Sequence, residues 1–119
     1  MESRKKKISE MVGDFAGDYI SLGDDIQEMQ QYLYAAVSAW NIACLDKKDR
    51  PRLIKSYMKN YRKMNPGQNR ISFKGVEDDF KLLIKQKIKL YPDVAVQIVD
   101  ARIEELDGKT HIKVVSLNV

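Results

Sequence analysis

The sequence predicts a single α+β domain over residues 1–119, with about four helices followed by a C-terminal antiparallel β-hairpin. Three observations predict it. Apolar residues recur at three- and four-residue spacing from Ile8 to Tyr91, β-branched residues take over after Pro92, and Asp107-Gly108 marks a tight turn within that last stretch.

Taking the elements in order, Ile8, Met11, Val12, Phe15, Ala16, Tyr19 and Ile20 define one face of a first helix from about Lys6 to Ile20. Gly13 and Gly17 each weaken it by about 1 kcal/mol relative to alanine, so it must lean on a neighbour. Their small-xxx-small spacing suggests close packing of that neighbour. Gly23 breaks the chain, and Asp24 is expected to cap a second helix, with Gln27 completing a capping-box pattern. That helix runs to about Leu45. Its stripe of Ile26, Met29, Leu33, Ala36, Val37, Trp40, Ala43 and Cys44 is the strongest periodic signal in the chain, which makes Trp40 the expected hub of the core.

Asp49 and Pro51 read as the start of a third helix, about Arg50 to Met64, with Leu53, Ile54, Tyr57, Met58, Tyr61 and Met64 facing inward. Asn65-Pro66-Gly67 stops it. Residues 68–75 lack a clear period and read as loop. A fourth helix then carries Val76, Phe80, Leu83, Ile84, Ile88 and Tyr91 to a stop before Pro92, with Glu77, Asp78 and Asp79 complementing its N-terminal dipole. The strands begin near Val94. If Leu106 pairs with Lys109, Ile103 faces Ile112, Ala101 faces Val114 and Ile98 faces Leu117. In that register apolar residues fall on both faces, so either a bulge corrects the phase or both faces are covered.

Composition narrows the classes. An apolar fraction of 44% with 32% charged residues fits a globular protein and excludes collagen-like, disordered and membrane-spanning classes. Met1 to Lys7 has positive charges without an apolar run behind them and is expected to be a flexible basic N-terminus, and a single cysteine, Cys44, fits a reducing cytoplasm. Charge is segregated: residues 8–45 hold six acidic and no basic side chains, whereas residues 46–92 hold fourteen Lys or Arg against five Asp or Glu. The second segment should attract anions.

Chemistry-bearing constellations are sparse. His111 is the one histidine and has no second ligand at metal-binding spacing; Cys44 ends an apolar stripe, where a small buried hydrophobe is its ordinary role. Asn41, next to Trp40, is expected to bond a neighbouring backbone group. No phosphate-cradling glycine loop and no Ser-His-Asp set is present, and neither a metal nor a cofactor is expected.

The segment Ala35-Ala-Val-Ser-Ala-Trp-Asn-Ile-Ala-Cys-Leu45, followed downstream by a lysine-rich helix ending Leu90-Tyr-Pro-Asp93, resembles small bacterial proteins with no attached activity. The resemblance implies a bacterial origin and transfers no functional residue.

Three roles follow in order. The first is a non-enzymatic interaction or assembly module, homodimeric or bound to another protein, in which the hairpin supplies an edge through Val96, Ile98, Val115 and Leu117. The second is a nucleic-acid-associated accessory protein using Arg52, Lys55, Lys59, Arg62 and Lys63 as phosphate contacts. The third is an enzyme with an intersubunit site, His111 and a carboxylate serving as acid and base.

Overall fold

A computed structural model describes residues 7–116. Four helices, α1 (Ile8–Ile20), α2 (Ile26–Ala43), α3 (Arg50–Met64) and α4 (Arg70–Leu90), precede one antiparallel pair of strands, β1 (Ile98–Leu106) and β2 (Lys109–Ser116). The α+β architecture expected from the sequence is therefore the one observed. The predicted flexible N-terminus lies outside the described residues apart from Lys7, and so does Leu117.

The local signals mostly act where the sequence puts them, with instructive shifts. Asp25, one residue later than expected, caps α2 by accepting a hydrogen bond from the Glu28 amide at 2.8 Å. Pro51 opens α3 behind a single 3-10 turn at Lys47–Asp49, and the Arg50 guanidinium donates to the Ala43 carbonyl, closing the end of α2. The largest departure is α4. Residues 70–75, read as loop, are its first turns, because Asn69 accepts from the Ser72 amide at 2.9 Å and starts the helix early. Glu77, Asp78 and Asp79 consequently sit in the helix interior, and dipole complementation does not account for them.

Helix α2 is the centre of the core. Trp40 is fully buried, with the Phe15 ring 5.4 Å away and the Tyr91 ring 6.1 Å away. Val12, Phe15, Ala16 and Ile20 from α1, Phe80, Leu83 and Ile84 from α4, and Ile98, Ala101 and Ile103 from β1 complete the same cluster. Met64, expected to face inward, is 81% exposed at the end of α3.

Residues 94–97, expected as strand, form an extended connection whose carbonyls bond to helix side chains. The Trp40 Nε1 donates to the Val96 carbonyl at 2.8 Å, and the Lys87 ammonium donates to the Val94 carbonyl. In the hairpin itself, Leu106↔Lys109, Ile103↔Ile112 and Ala101↔Val114 pair as expected, but Ile98 faces Ser116 rather than Leu117. The reason is a bulge: Val99 is the extra residue between Ile98 and Asp100. It rotates Ile98 onto the face of Ala101 and Ile103, all three buried, and turns Val99 outward at 60% exposure. The turn is of the I′ kind, with positive φ at Asp107 (55°) and Gly108 (75°).

Glycines divide by role. A Cβ added at Gly23 would lie 2.7 Å from the backbone nitrogen of Met29, so the entry to α2 requires glycine there. At Gly13 and Gly17 a Cβ meets nothing within 4 Å, so their spacing reflects no close helix packing. Gly13→Ala should stabilise the protein by about 0.5–1 kcal/mol, while Gly23→Ala should destabilise it, both read from urea midpoints at unchanged m. Trp40→Phe should lose about 2–3 kcal/mol in the same measurement, because it leaves the Val96 carbonyl with only the weak Cys44 thiol contact at 3.8 Å and a void beside Phe15.

Candidate functional site

The two edges of the hairpin are treated differently. On β1, the amide of Gln30 donates to the Ala101 carbonyl at 3.0 Å and accepts from the Ile103 amide at 2.7 Å. The amide of Asn41 does the same for Ile98, donating at 2.9 Å and accepting at 2.8 Å. Two side chains of α2 thus stand in for a neighbouring strand. Because Ala101 and Ile103 direct their backbone groups outward, their partners Val114 and Ile112, and Thr110 two residues on, do the same along β2. No hydrogen bond reaches those groups from the described residues outside the hairpin.

The predicted edge residues separate accordingly. Ile98 is 4% exposed and belongs to the chain's own core, so it is not presented at an edge. Val96 is half-buried with its carbonyl engaged by Trp40. Val115 is exposed on the outer face beside the bulged Val99, and Leu117 is not among the described residues.

The five predicted phosphate contacts, Arg52, Lys55, Lys59, Arg62 and Lys63, are all exposed. At 100° per residue they fall within an arc of about 100° on α3. Sequence reasoning missed what lies across from them. An open cavity of about 360 Å³ is lined by Pro51, Ile54 and Lys55 of α3 and by Glu77 and Lys81 of α4. A second, of about 600 Å³, is lined by Arg62 of α3 and by Phe73, Lys74 and Glu77 of α4. The Arg62 guanidinium stands 5.9 Å from the centre of the Phe73 ring. Arg52 lies 3.9 Å from Asp49 and Lys81 lies 3.3 Å from Glu77; Lys55, Lys59 and Lys63 form no ion pair among the described residues.

Lys87, one of the fourteen cations of residues 46–92, is not on the surface but 1% exposed. Its ammonium rests 5.0 Å from the centre of the Trp40 ring and beside Cys44, whose sulfur is 3.6 Å from the same Val94 carbonyl that Lys87 bonds. The signal was in the spacing, since Lys87 continues the buried row Phe80, Leu83, Ile84. Burial pushes the Cys44 thiol above its ordinary range, outweighing the opposing influence of Lys87 and Arg50. A half-buried thiol whose proton is held more tightly is a poor nucleophile.

His111 is exposed opposite Glu104 and lines none of the four described cavities. Among the described residues no three His, Cys, Asp or Glu side chains converge as metal ligands, and no helix is long and apolar enough to cross a membrane. Of the other two cavities, one, about 270 Å³, lies between α1 and α4 and contains Asp18, Tyr19 and Asp79. There burial first, and Asp79 second, raise the Tyr19 phenol. The other, about 330 Å³, lies between α2 and α3 under Tyr34, Tyr57 and Met64. Burial lifts the Tyr57 phenol to about 12.

Comparison of the chain with family models, with curated proteins and with solved structures returns no significant match.

Raised pKa values on Cys44, Tyr19 and Tyr57 all have the same sign for folding. The folded state holds these protons more tightly, so stability is full below the unfolded-state values and declines as pH rises through the thiol and phenol ranges. Tyr57→Phe should flatten the part of that decline that lies between about pH 10 and 12, seen as urea midpoints against pH. Cys44 should react with iodoacetamide at neutral pH several-fold more slowly than a free cysteine peptide, and Lys87→Met should slow it further.

Proposed function

We propose that this chain is a non-enzymatic interaction module that associates with a second copy of itself through the outer edge of β2. The observation that carries the reading is the asymmetry of the hairpin. Gln30 and Asn41 occupy the edge of β1, while the outward amides and carbonyls of Thr110, Ile112 and Val114 have no bonding partner among the described residues.

A two-stranded sheet is marginal in water, and antiparallel pairing of β2 with its own copy would make a four-stranded one. The register that satisfies every outward group puts Ile112 on the two-fold axis and sets Thr110 opposite Val114 of the second copy. That register brings Lys113 beside a second His111. Glu104, opposite His111 in the hairpin and 3.9 Å from Lys113, offsets the crowding of positive charge. Ile98 takes no part, being used inside the monomer.

Thr110→Pro tests this at an exposed position, because it removes an outward N–H while leaving the bonds between β1 and β2 intact. Sedimentation equilibrium should find a dimer for the parent chain and a dissociation constant weakened by roughly tenfold or more for the variant, with far-UV circular dichroism unchanged. A parent chain that stays monomeric at millimolar concentration, or a variant that dimerises as well as the parent, would refute it.

A further inference from the structure

The basic residues of α3 are matched, not merely accompanied, by those of α4. Lys55 and Lys81 share one cavity and Arg62 and Lys74 share the next. Lys55 to Arg62 is seven residues along α3, and Lys74 to Lys81 is seven along α4 in the opposite direction. At 1.5 Å rise per residue, each helix separates its two cations by about 10.5 Å. The groove therefore carries two cation pairs, one member from each wall, spaced by two helical turns.

From this we infer that the groove between α3 and α4 binds single-stranded nucleic acid, seating one backbone phosphate between Lys55 and Lys81 and another between Arg62 and Lys74. The inference is independent of the β2 pairing. Strand geometry is compatible with the spacing: a single strand, free of duplex constraints, adjusts the separation of its phosphates by backbone torsion, so two positions about 10.5 Å apart are within its reach. Phe73 supplies an aromatic wall beside the second pair. Its ring is half-buried, near-perpendicular to the Tyr61 ring at 6.0 Å, and an unstacked base would take the place that the Arg62 guanidinium holds over it. A duplex keeps its bases stacked inside and so has none to offer Phe73. Lys59 and Lys63, exposed on the same arc of α3, and Lys85, one turn beyond Lys81, extend the field along the rim.

One group opposes the anion. Glu77 lines both cavities and is 3.3 Å from the Lys81 ammonium. It divides the groove into two phosphate positions, because a phosphate directly over it would meet a carboxylate. Asp78, one residue on, is exposed.

Fluorescence anisotropy of a labelled oligothymidylate of about twelve nucleotides, titrated with the full-length chain, tests the inference. Binding is expected at about 50 mM salt, with a log–log salt slope that falls by about 0.7 for each phosphate position removed. The doubles Lys55→Gln with Lys81→Gln, and Arg62→Gln with Lys74→Gln, should each weaken binding by roughly tenfold or more. A control of equal charge change away from both the groove and β2, Lys47→Gln with Lys89→Gln, should weaken it far less. Glu77→Gln should tighten binding by roughly threefold, as removal of one negative charge a few ångströms from a phosphate requires. Phe73→Leu should weaken it with the salt slope unchanged. Circular dichroism of each variant establishes that it is folded. The inference is overturned by absence of binding at about 50 mM salt, by groove doubles that bind no more weakly than the control double, by Glu77→Gln binding more weakly than the parent, or by a duplex of equal length, or vesicles of anionic lipid, binding as tightly as the oligothymidylate.

Discussion

The structure depends on bonding the backbone of residues 94–103 from α2. Trp40, Asn41 and Gln30 lie along that helix, and each spends its polar group on this one stretch: the Val96 carbonyl, both groups of Ile98, then the Ala101 carbonyl and Ile103 amide. A hairpin of two strands has too few bonds and too little buried area to hold its own position. By lending it three side chains, α2 fixes where the hairpin lies and which of its faces is inward. Burial of Ile98, Ala101 and Ile103 follows from that placement.

The same arrangement makes the two edges unequal. An edge bonded by helix side chains cannot template another strand, whereas the outward groups of β2 have no bonding partner among the described residues. The bulge at Val99 contributes from the other direction. It spends one residue to bring Ile98 into phase with Ala101, and the residue spent is left exposed beside Val115.

Electrostatics is organised on a similar division between inside and outside. Fourteen cationic side chains crowd residues 46–92, yet Lys87 is enclosed, held by a carbonyl and the face of Trp40 rather than by a carboxylate. Lys55, Arg62, Lys74 and Lys81 meet where α3 and α4 run side by side, because α4 folds back along α3 after the short connection at residues 65–69. Neighbouring like charges are tolerated there in water, and their field is strongest over the groove they line.

The sequence by itself determined the number and type of elements, the boundaries of α3, the turn at Asp107-Gly108 and the pairing nearest it, and Trp40 as hub, since each rests on periodicity or on turn chemistry that acts locally. It misplaced the start of α4, where residues 68–75 show no clear period and the Asn69 cap went unread. Tertiary structure alone decided that Gln30 and Asn41 bond β1, that Lys87 is buried, that Ile98 belongs to the core, and that Lys74 and Lys81 face Arg62 and Lys55. Those facts join residues dozens of positions apart or assign a polar side chain to the interior, and neither follows from the period of a segment, because a period states which residues share a face and is silent on what that face meets.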